Sequence, residues 1–347
     1  MIAPLLQVRG LVKHFPVSGA LLGASAVVHA LDGIDFDVAP GELLAIVGES
    51  GSGKTTLARC ILGLARATRG EIRFHGDEVG RLRGRARREF RRRVQPIFQD
   101  PYASLDPRWP IAHTIREPLE AFGIGTSAER TARVTALLDR VGLPGRFAER
   151  LPHELSGGQR QRVGIAAALA LEPELIVADE PVSALDVSVQ GQILNLLAEL
   201  QRDLGLAMIL ITHNLAVVEH VCDRAAVLYL GQLAEVGPID QLFGDPVHPY
   251  TQMLMAAIPY PDPTRRLVSA GIRGEIPSPI HPPSGCRFHP RCPVAIDRCR
   301  TDPPDLTAFG PAHRAACHVA SLRLASPGVL PGASPLDAPG IAGSPAR

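Results

Sequence analysis

The chain has 347 residues, which is enough for roughly two domains with a sizeable core at about 150 residues per domain. Its formal net charge is only +1, so no bulk field draws it to nucleic acid or to anionic lipid. A hydrophobic content of 46% excludes a largely disordered chain. The longest apolar stretch, residues 17–31, is interrupted by serine, glycine and histidine, so no bilayer-spanning segment is predicted. We therefore expect a soluble protein of the cytoplasm that reaches a membrane only by docking to a partner.

Short apolar runs alternate with helical patterns over residues 1–240. Leu43–Val47, Leu175–Ala178 and Met208–Ile211 are apolar at every position, which is typical of strands buried on both faces of a parallel sheet. Between the last two runs, leucine and isoleucine recur at helical spacing and predict a helix over 189–204. A strand–helix–strand order of this kind predicts an α/β core.

The rest of the chain departs from this alternation. Residues 100–160 carry two helical patterns, and we predict a mainly helical insertion there. Proline becomes frequent after residue 240, which predicts a small loop-rich domain over 241–320 that contains four of the six cysteines. Residues 321–347 hold nine glycines or prolines in 27 positions, so a disordered tail is predicted.

A phosphate-binding motif follows the first apolar run. Residues 48–55 match the pattern G-x-x-x-x-G-K-[ST] between a predicted strand and a predicted helix, which is the context that this motif requires. The glycines let successive backbone N–H groups point at phosphate oxygens, and the start of the helix adds positive potential. Lys54, one of only two lysines, would reach the β- and γ-phosphates. The candidate phosphate ligands are Gly48, Ser50, Gly51, Ser52, Gly53, Lys54, Thr55 and Thr56.

Two further motifs suit a nucleoside triphosphate. Asp179 ends a predicted buried strand, where it would hold Mg²⁺ together with Thr55, and Glu180 follows it as a carboxylate able to polarise water. A second anion-binding turn precedes a later helix. One chain has little use for two such turns around one nucleotide, whereas two chains packed head to tail would enclose each nucleotide between them. The alternative is that the second turn is an ordinary glycine-rich turn without a ligand. The residues of this turn are Ser156, Gly157, Gly158 and Gln159.

Together these motifs resemble the ATP-binding cassette (ABC) family, and the resemblance covers most of the chain. Gln99 resembles the Q-loop glutamine of the family, Asp186 its D-loop aspartate and His213 its switch histidine, although Asn214 stands where aspartate is more usual. The resemblance implies a P-loop NTPase fold: a RecA-like core, an antiparallel β subdomain and a helical subdomain at about 100–160.

The resemblance also implies roles for individual residues. Glu180 would be the catalytic base, His213 would contact the γ-phosphate, and Gln99 would sense Mg²⁺ and couple to a membrane partner. Asp186 would act across the dimer interface, and Ser156 with its three neighbours would bind the ATP of the other protomer. Phe15 is the candidate for stacking on adenine, with plain core packing as the alternative.

Three proline-containing segments narrow the resemblance to the ATPase subunits of oligopeptide/dipeptide importers, closest to their F-type chains. These segments are residues 100–108, 248–251 and 277–286. This subfamily implies two permease subunits, a second and homologous ATPase chain, an indirect link to an extracytoplasmic solute-binding protein, and a peripheral location on the cytoplasmic face of the inner membrane. It also implies that residues 96–110, with Gln99, Tyr102 and Leu105, line or flank the groove that receives the permease. Relatives with the same features carry other solutes, so the solute does not follow.

The clustered cysteines read C-x₅-C-x₆-C-x₁₇-C and comprise Cys286, Cys292, Cys299 and Cys317. In a protein of the cytoplasm such a cluster indicates a metal site before disulfides. The C-x₂₋₄-C pair typical of zinc sites is missing, whereas a [4Fe–4S] cluster needs only four converging thiolates, as the resemblance also implies. Zinc and free structural thiols stay as alternatives. Because these cysteines lie far from the phosphate motif in the sequence, we expect Cys292→Ser to destabilise residues 280–320 more than it weakens ATP binding.

Two other functions use the same motifs. One is a soluble cassette ATPase that acts on DNA or ribosomes, and the other is a metal-sensing regulator. Chromosome-type members place long coiled coils between the two nucleotide motifs, and translation-type members carry two cassettes, neither of which is seen here. The arginine-rich stretch 81–93 has no aromatic stacking platform, which favours a solvated helix face over a nucleic-acid patch. We therefore predict an ATPase that powers an importer and binds no nucleic acid.

Overall fold

The computed structural model describes residues 3–17, 26–100, 105–258 and 274–325. Within these ranges the chain forms a central eight-stranded sheet and a separate four-stranded sheet. The strands are β1 Leu6–Pro16, β2 Val27–Val38, β3 Leu43–Val47, β4 Arg69–Phe74, β5 Asp77–Glu78, β6 Val94–Ile97, β7 Leu175–Asp179, β8 Ala207–Thr212, β9 Arg224–Tyr229, β10 Gln232–Pro238, β11 Thr307–Ala308 and β12 Arg314–Ala315. The helices are α1 Lys54–Ile61, α2 Gly84–Arg93, α3 Ile111–Phe122, α4 Ser127–Arg140, α5 Gly157–Leu169, α6 Val187–Leu204, α7 Leu215–Val221, α8 Ile239–Gly244, α9 Pro249–Ala256, α10 Arg298–Thr301 and α11 His318–Ala325.

The central sheet has the order β11–β12–β10–β9–β3–β8–β7–β6. Its five strands from β9 to β6 are parallel, whereas β10, β12 and β11 continue it in antiparallel register. Every residue of β3 and β8 is buried, as the uniformly apolar runs predict for strands covered on both faces. The α/β core predicted from these runs is confirmed.

The four-stranded sheet has the order β2–β1–β4–β5 and is antiparallel throughout. Its inner face, which includes Val8, Ile34, Phe36 and Ile72, packs into the same apolar cluster as strand β3 and helix α1 of the central sheet. The antiparallel β layer that the family resemblance implies is therefore present beside the phosphate motif.

Helices α3, α4 and α5 form a bundle over residues 111–169, which overlaps the predicted helical insertion at 100–160 and extends nine residues beyond it. Their apolar faces share a core with the underside of β7 and β8. Thr126 caps α4 with a capping box to Glu129, and Gly123 ends α3 with a φ of 68°. Helix α2 carries the arginine-rich stretch and buries only Phe90, as expected of a solvated helix face.

The C-terminal segment is loop-rich, but it shares the central sheet. Strand β12 pairs with β10 through Glu235 opposite Ala315 and Val236 opposite Arg314, so residues beyond 300 extend the sheet that carries the phosphate motif. Helix α11 begins at His318 and continues to Ala325. In its first turn, the N–H of Ser321 donates to the carbonyl of Cys317, the residue before the helix. The predicted disordered tail was therefore placed too early, and its remainder, 326–347, lies outside the described residues. None of the described helices is both long and apolar enough to cross a membrane.

Candidate functional site

The phosphate motif forms a tight loop between β3 and α1. Gly48 and Gly53 have φ of 153° and 106°, values that favour glycine. A Cβ at Gly48 would collide with the carbonyl of Leu228, and one at Gly53 with the carbonyl of Ala30. The neighbouring backbone therefore leaves no room for a side chain at these two positions of the loop.

Lys54 is buried at the start of α1, and its ammonium group is held by the loop itself. Its Nζ donates to the carbonyls of Gly48, at 2.7 Å, and Glu49, at 2.9 Å. Burial lowers the pKa of Lys54, while the carboxylates of Glu180, Asp179 and Glu49 act to raise it. The ammonium group is thus fixed in a pocket of negative potential, where phosphate oxygens can replace the two carbonyls as acceptors.

Two oxygen donors suited to Mg²⁺ lie next to this lysine. Thr55 follows it at the start of α1, and its Oγ1 lies 3.3 Å from Oδ1 of Asp179 at the end of β7. Burial raises the pKa of Asp179, and the hydrogen bond from Thr55 opposes this. A hydroxyl and a carboxylate at this spacing match the donor set that Mg²⁺ prefers.

Glu180 occupies the centre of the site. Its Oε2 accepts from Nε2 of Gln99 at 3.3 Å, and its Oε1 lies 3.4 Å from Nδ1 of His213. The backbone of Glu180 has a φ of 47°, and its N–H donates to the carbonyl of Ile211. Gln99 and His213 follow β6 and β8, the strands on either side of β7, so the parallel sheet brings the three residues together.

The second glycine-rich turn begins α5 in the helical bundle. Ser156 is exposed, and its Oγ accepts the N–H of Gln159 at 3.3 Å, while Gln159 Oε1 accepts the N–H of Ser156 in return. A Cβ at Gly157 would lie 3.1 Å from Leu185, and one at Gly158 would lie 2.5 Å from Cγ1 of Val189. The turn therefore packs against the D-loop and helix α6, with exposed Asp186 at the start of that helix.

The remaining predicted site residues differ in how far their side chains are exposed. Phe15 lies on β1 with 39% of its surface exposed, and Nζ of Lys13 lies 4.5 Å from the centroid of its ring. Ser50, Gly51 and Thr55 are exposed, whereas Ser52 is buried. Of the predicted groove residues, Leu105 is buried in the core of the helical bundle, so it can flank an open groove but not line it. Tyr102 lies outside the described residues.

The four clustered cysteines come from one loop-rich stretch, residues 286–317, which we call the cysteine segment. All four are free thiols. The N–H of Cys286 donates to the carbonyl of Cys299 at 2.9 Å, so the first and third cysteines are adjacent. Burial raises the pKa of Cys286 to about 11 and that of Cys292 to about 12, and repulsion among the thiolates adds to this, whereas backbone N–H groups that donate to these sulfurs oppose it. Across the described residues, no three of these sulfurs lie within 4.8 Å of one another.

Two histidines and an aspartate lie closer together, beside the start of the cysteine segment. His14, His29 and Asp32 offer ligand atoms that all lie within 4.8 Å of one another. However, the guanidinium of Arg287 also binds Asp32. Although burial opposes it, the hydrogen bonds from His14 and Arg287 hold the pKa of Asp32 below its usual value. The group is an ion-pair network in which Arg287 already supplies the cation.

The sequence patterns missed one contact, which joins the cysteine segment to the phosphate loop. Arg291 donates to both carboxylate oxygens of Glu49, at 2.7 and 3.1 Å, across 242 positions of sequence. The hydroxyl of Tyr250 accepts the N–H of Glu49 at 2.9 Å. The cysteine segment, although distant in the sequence, therefore contacts the phosphate loop directly. A motif search cannot find such a pair, because neither residue type nor spacing marks it.

Two known protein families match separate parts of this chain. The family described as "ABC transporter" matches residues 31–183. This range contains the phosphate loop, Asp179, Glu180 and the second glycine-rich turn, residues 156–159, which we call the signature turn. The family described as "Oligopeptide/dipeptide transporter, C-terminal region" matches residues 234–299, with the first three clustered cysteines. This chain belongs to the ABC transporter ATPases. It is an ATP-binding and ATP-hydrolysing subunit, and the relatives give no support to a role on nucleic acid or ribosomes.

Individual relatives match almost end to end. A peptide import ATP-binding protein of Brucella ovis is 53% identical over 90% of this chain and 97% of its own length. The oligopeptide transport ATP-binding protein AppF of Bacillus subtilis is 46% identical over 91% and 98%. Among solved structures, the dimeric ATP-binding cassette MJ0796 bound to ADP and Pi is 29% identical, with a TM-score of 0.60, and covers 67% of this chain and 98% of its own. CbiO1 of Clostridium perfringens is also 29% identical, with a TM-score of 0.61 over 70% and 91%.

The close packing of the signature turn gives a matched pair of substitutions on helix α5. Gly158→Ala places a Cβ against Val189, so we expect α5 to shift from α6 and ATP hydrolysis to fall by at least about tenfold, in line with the sensitivity of catalysis to small misplacements. Gly164→Ala adds a Cβ with nothing within 4 Å and should stabilise the helix by about 0.5–1 kcal/mol without loss of turnover. Steady-state hydrolysis and thermal unfolding of both variants test this. Equal turnover in the two variants would contradict it.

Proposed function

We propose that this chain powers an importer of di- or oligopeptides, or of a related small solute, by closing with a second ATPase chain on ATP. The observation that carries the proposal is Glu180, which lies between Gln99 and His213 at the edge where Lys54 and the Thr55–Asp179 pair lie. The names of the relatives, which are peptide import and oligopeptide transport ATP-binding proteins, support the class of solute.

The geometry supports the roles in hydrolysis that the family resemblance implies. Lys54 and the loop N–H groups would bind the triphosphate, and Thr55, Asp179 and Gln99 would hold Mg²⁺, which neutralises phosphate charge when bound. Glu180 accepts a proton from the attacking water, and His213 orients Glu180 and contacts the γ-phosphate. The exposed edge of Phe15 receives the adenine ring.

A second ATPase chain completes each site. Ser156 is exposed at the start of α5 on the helical bundle, where this helix N-terminus suits a phosphate brought by another protomer. Gly157, Gly158, Gln159 and Asp186 belong to this contact. The partner is a homologous ATPase chain, and the MJ0796 cassette, which was solved as a dimer bound to ADP and Pi, supports the pairing of two chains.

Transport itself requires two permease subunits, to which this chain docks from the cytoplasmic face of the inner membrane as a peripheral subunit. A shallow cleft on the helical bundle is lined by Pro110, His113, Arg116 and Glu149, next to half-exposed Trp109. Gln99, which precedes this region in the chain, donates to Glu180. Closure of the two ATPase chains would move the cleft and switch the permease between its two states. An extracytoplasmic solute-binding protein would act only through the permease.

For the cysteine segment we propose a [4Fe–4S] cluster, with zinc as the alternative. The support is the sequence spacing, which lacks the C-x₂₋₄-C pair typical of zinc sites, whereas a cluster needs only four converging thiolates. As they stand, no three of the four described sulfurs lie within 4.8 Å of one another, so binding of either metal would draw them together. Backbone N–H groups that donate to three of the sulfurs would stabilise thiolates. Cys286, Cys292, Cys299 and Cys317 would hold the cluster, whose part here is to fix a segment that has little regular structure.

The role of Glu180 is tested by Glu180→Gln. The variant keeps the contacts to Mg²⁺ and phosphate but loses the base, so hydrolysis should fall by about 10²–10⁴-fold while ATP still binds and a closed dimer accumulates. Steady-state turnover and ATP-dependent dimerisation are measured on the assembled complex. Glu199→Gln, on the exposed face of α6, is the matched control and should hydrolyse normally. Near-normal turnover of Glu180→Gln would overturn the assignment.

The cysteine proposal predicts a brown protein when the chain is purified without oxygen. Iron and acid-labile sulfide should each approach about four per chain. Cys292→Ser should lose both, whereas Cys222→Ala, which changes a cysteine outside the cluster, should keep them. Stoichiometric zinc in a colourless protein would replace the cluster by a zinc site, and a protein free of metal would contradict both.

The docking proposal predicts a crosslink that depends on nucleotide. A cysteine introduced at His113, which is exposed beside the cleft, should couple to one in a cytoplasmic loop of the permease, with a yield that changes when ATP is added. Gln192→Cys, on the exposed face of α6, serves as the control and should stay uncoupled. Efficient coupling from Gln192 and none from His113 would show that the docking face lies elsewhere.

A further inference from the structure

The phosphate loop contains one acidic residue, and this residue creates an electrostatic problem. Glu49 is the only carboxylate between Gly48 and Thr55, in the loop that wraps a polyanion. Its carbonyl already accepts from Lys54, and its carboxylate acts on the pKa of the same ammonium group. An uncompensated charge here would repel the triphosphate and compete with it for Lys54.

Arg291 removes this problem through a two-pronged ion pair. Its Nη1 lies 2.7 Å from Oε2 of Glu49, and its Nη2 lies 3.1 Å from Oε1. The side chain of Arg291 is only 4% exposed, and that of Glu49 is 20% exposed. A shielded, bidentate pair of this kind is much stronger than an ion pair on the open surface.

The surroundings fix the arginine in place. Nη1 also donates to the hydroxyl of Tyr229 at 3.3 Å. The ring of Phe288, from the same cysteine segment, packs against Tyr229 and Tyr250 with centroids 5.2 and 5.3 Å away. Tyr250 in turn accepts the N–H of Glu49, so the loop residue is held by both its backbone and its side chain.

We propose that Arg291 is a positioning residue for ATP binding, which neutralises Glu49 and keeps it away from Lys54. The cysteine segment is then a working part of the nucleotide site. This role goes beyond the proposed transport function, because it requires only that the loop binds ATP and does not depend on the solute or the metal.

The test compares Arg291→Ala in two backgrounds, the natural chain and Glu49→Gln. ATP affinity of the full-length chain is measured by displacement of a fluorescent nucleotide. In the natural chain, Arg291→Ala should weaken ATP binding about tenfold, or about 1.4 kcal/mol, because Glu49 is left charged and unpaired. In the Glu49→Gln background the same change should cost less than about threefold, because no charge remains to neutralise. The loss in the natural chain should also be larger for ATP than for ADP, which carries less charge.

Two further variants separate this role from a purely structural one. Arg298→Ala removes an exposed ion pair with Asp302 in the same segment and should leave ATP affinity unchanged. Arg291→Lys keeps the charge without the fork and should give an intermediate loss, which keeps the comparison readable if Arg291→Ala does not fold. Equal losses from the Arg291 change in both backgrounds would mean that Arg291 only supports folding and would overturn the proposal. Unchanged affinity in the natural background would overturn it as well.

Discussion

The carboxyl ends of five parallel strands meet at one edge of the central sheet, and the nucleotide site depends on this constraint. The phosphate loop follows β3, Asp179 ends β7, and His213 follows β8, so neighbouring strands deliver their polar residues to the same edge. Glu180 then lies within hydrogen-bond reach of Gln99 and His213, although the three residues are far apart in the sequence. Crevices at the carboxyl ends of parallel strands are the general place for ligands in open α/β sheets.

The central sheet and the phosphate loop were predictable because each is specified by a short run of neighbouring residues. The wholly apolar runs at β3 and β8 leave no alternative to strands covered on both faces, and Gly48 and Gly53 stand where the backbone has no room for a Cβ. The turn at 156–159 was also predictable as a helix start, since Ser156 and two glycines precede the helical pattern, although its part in a dimer followed only from the family resemblance. In each case the determining physics acts over a few neighbouring positions.

Long-range contacts account for what the sequence did not reveal. Strand β12 adds to β10 through only two residue pairs, and two-residue strands carry no periodicity to detect. Leu105 looked available for docking because it lies near Gln99 in the chain, but its side chain belongs to the core of the helical bundle. The pairing of Glu49 with Arg291 depends on the packing of Phe288 and two tyrosines, which no local pattern encodes.

The cysteine segment is therefore anchored at two points, to the phosphate loop and to strand β2. Arg287 follows the first cysteine and binds Asp32 of β2, and Arg291 precedes the second and binds Glu49 of the phosphate loop. Anything that orders the loop around Cys286 and Cys292 will also order these two arginines.

Hydrogen–deuterium exchange of the full-length chain with and without Mg-ATP tests this account most directly. Backbone amides of residues 48–55 and of residues 286–292 should become protected together on ATP binding, while those of the solvated helix α2, 84–93, stay unchanged. Protection of 48–55 with no change in 286–292 would contradict the claim that the cysteine segment is part of the nucleotide site.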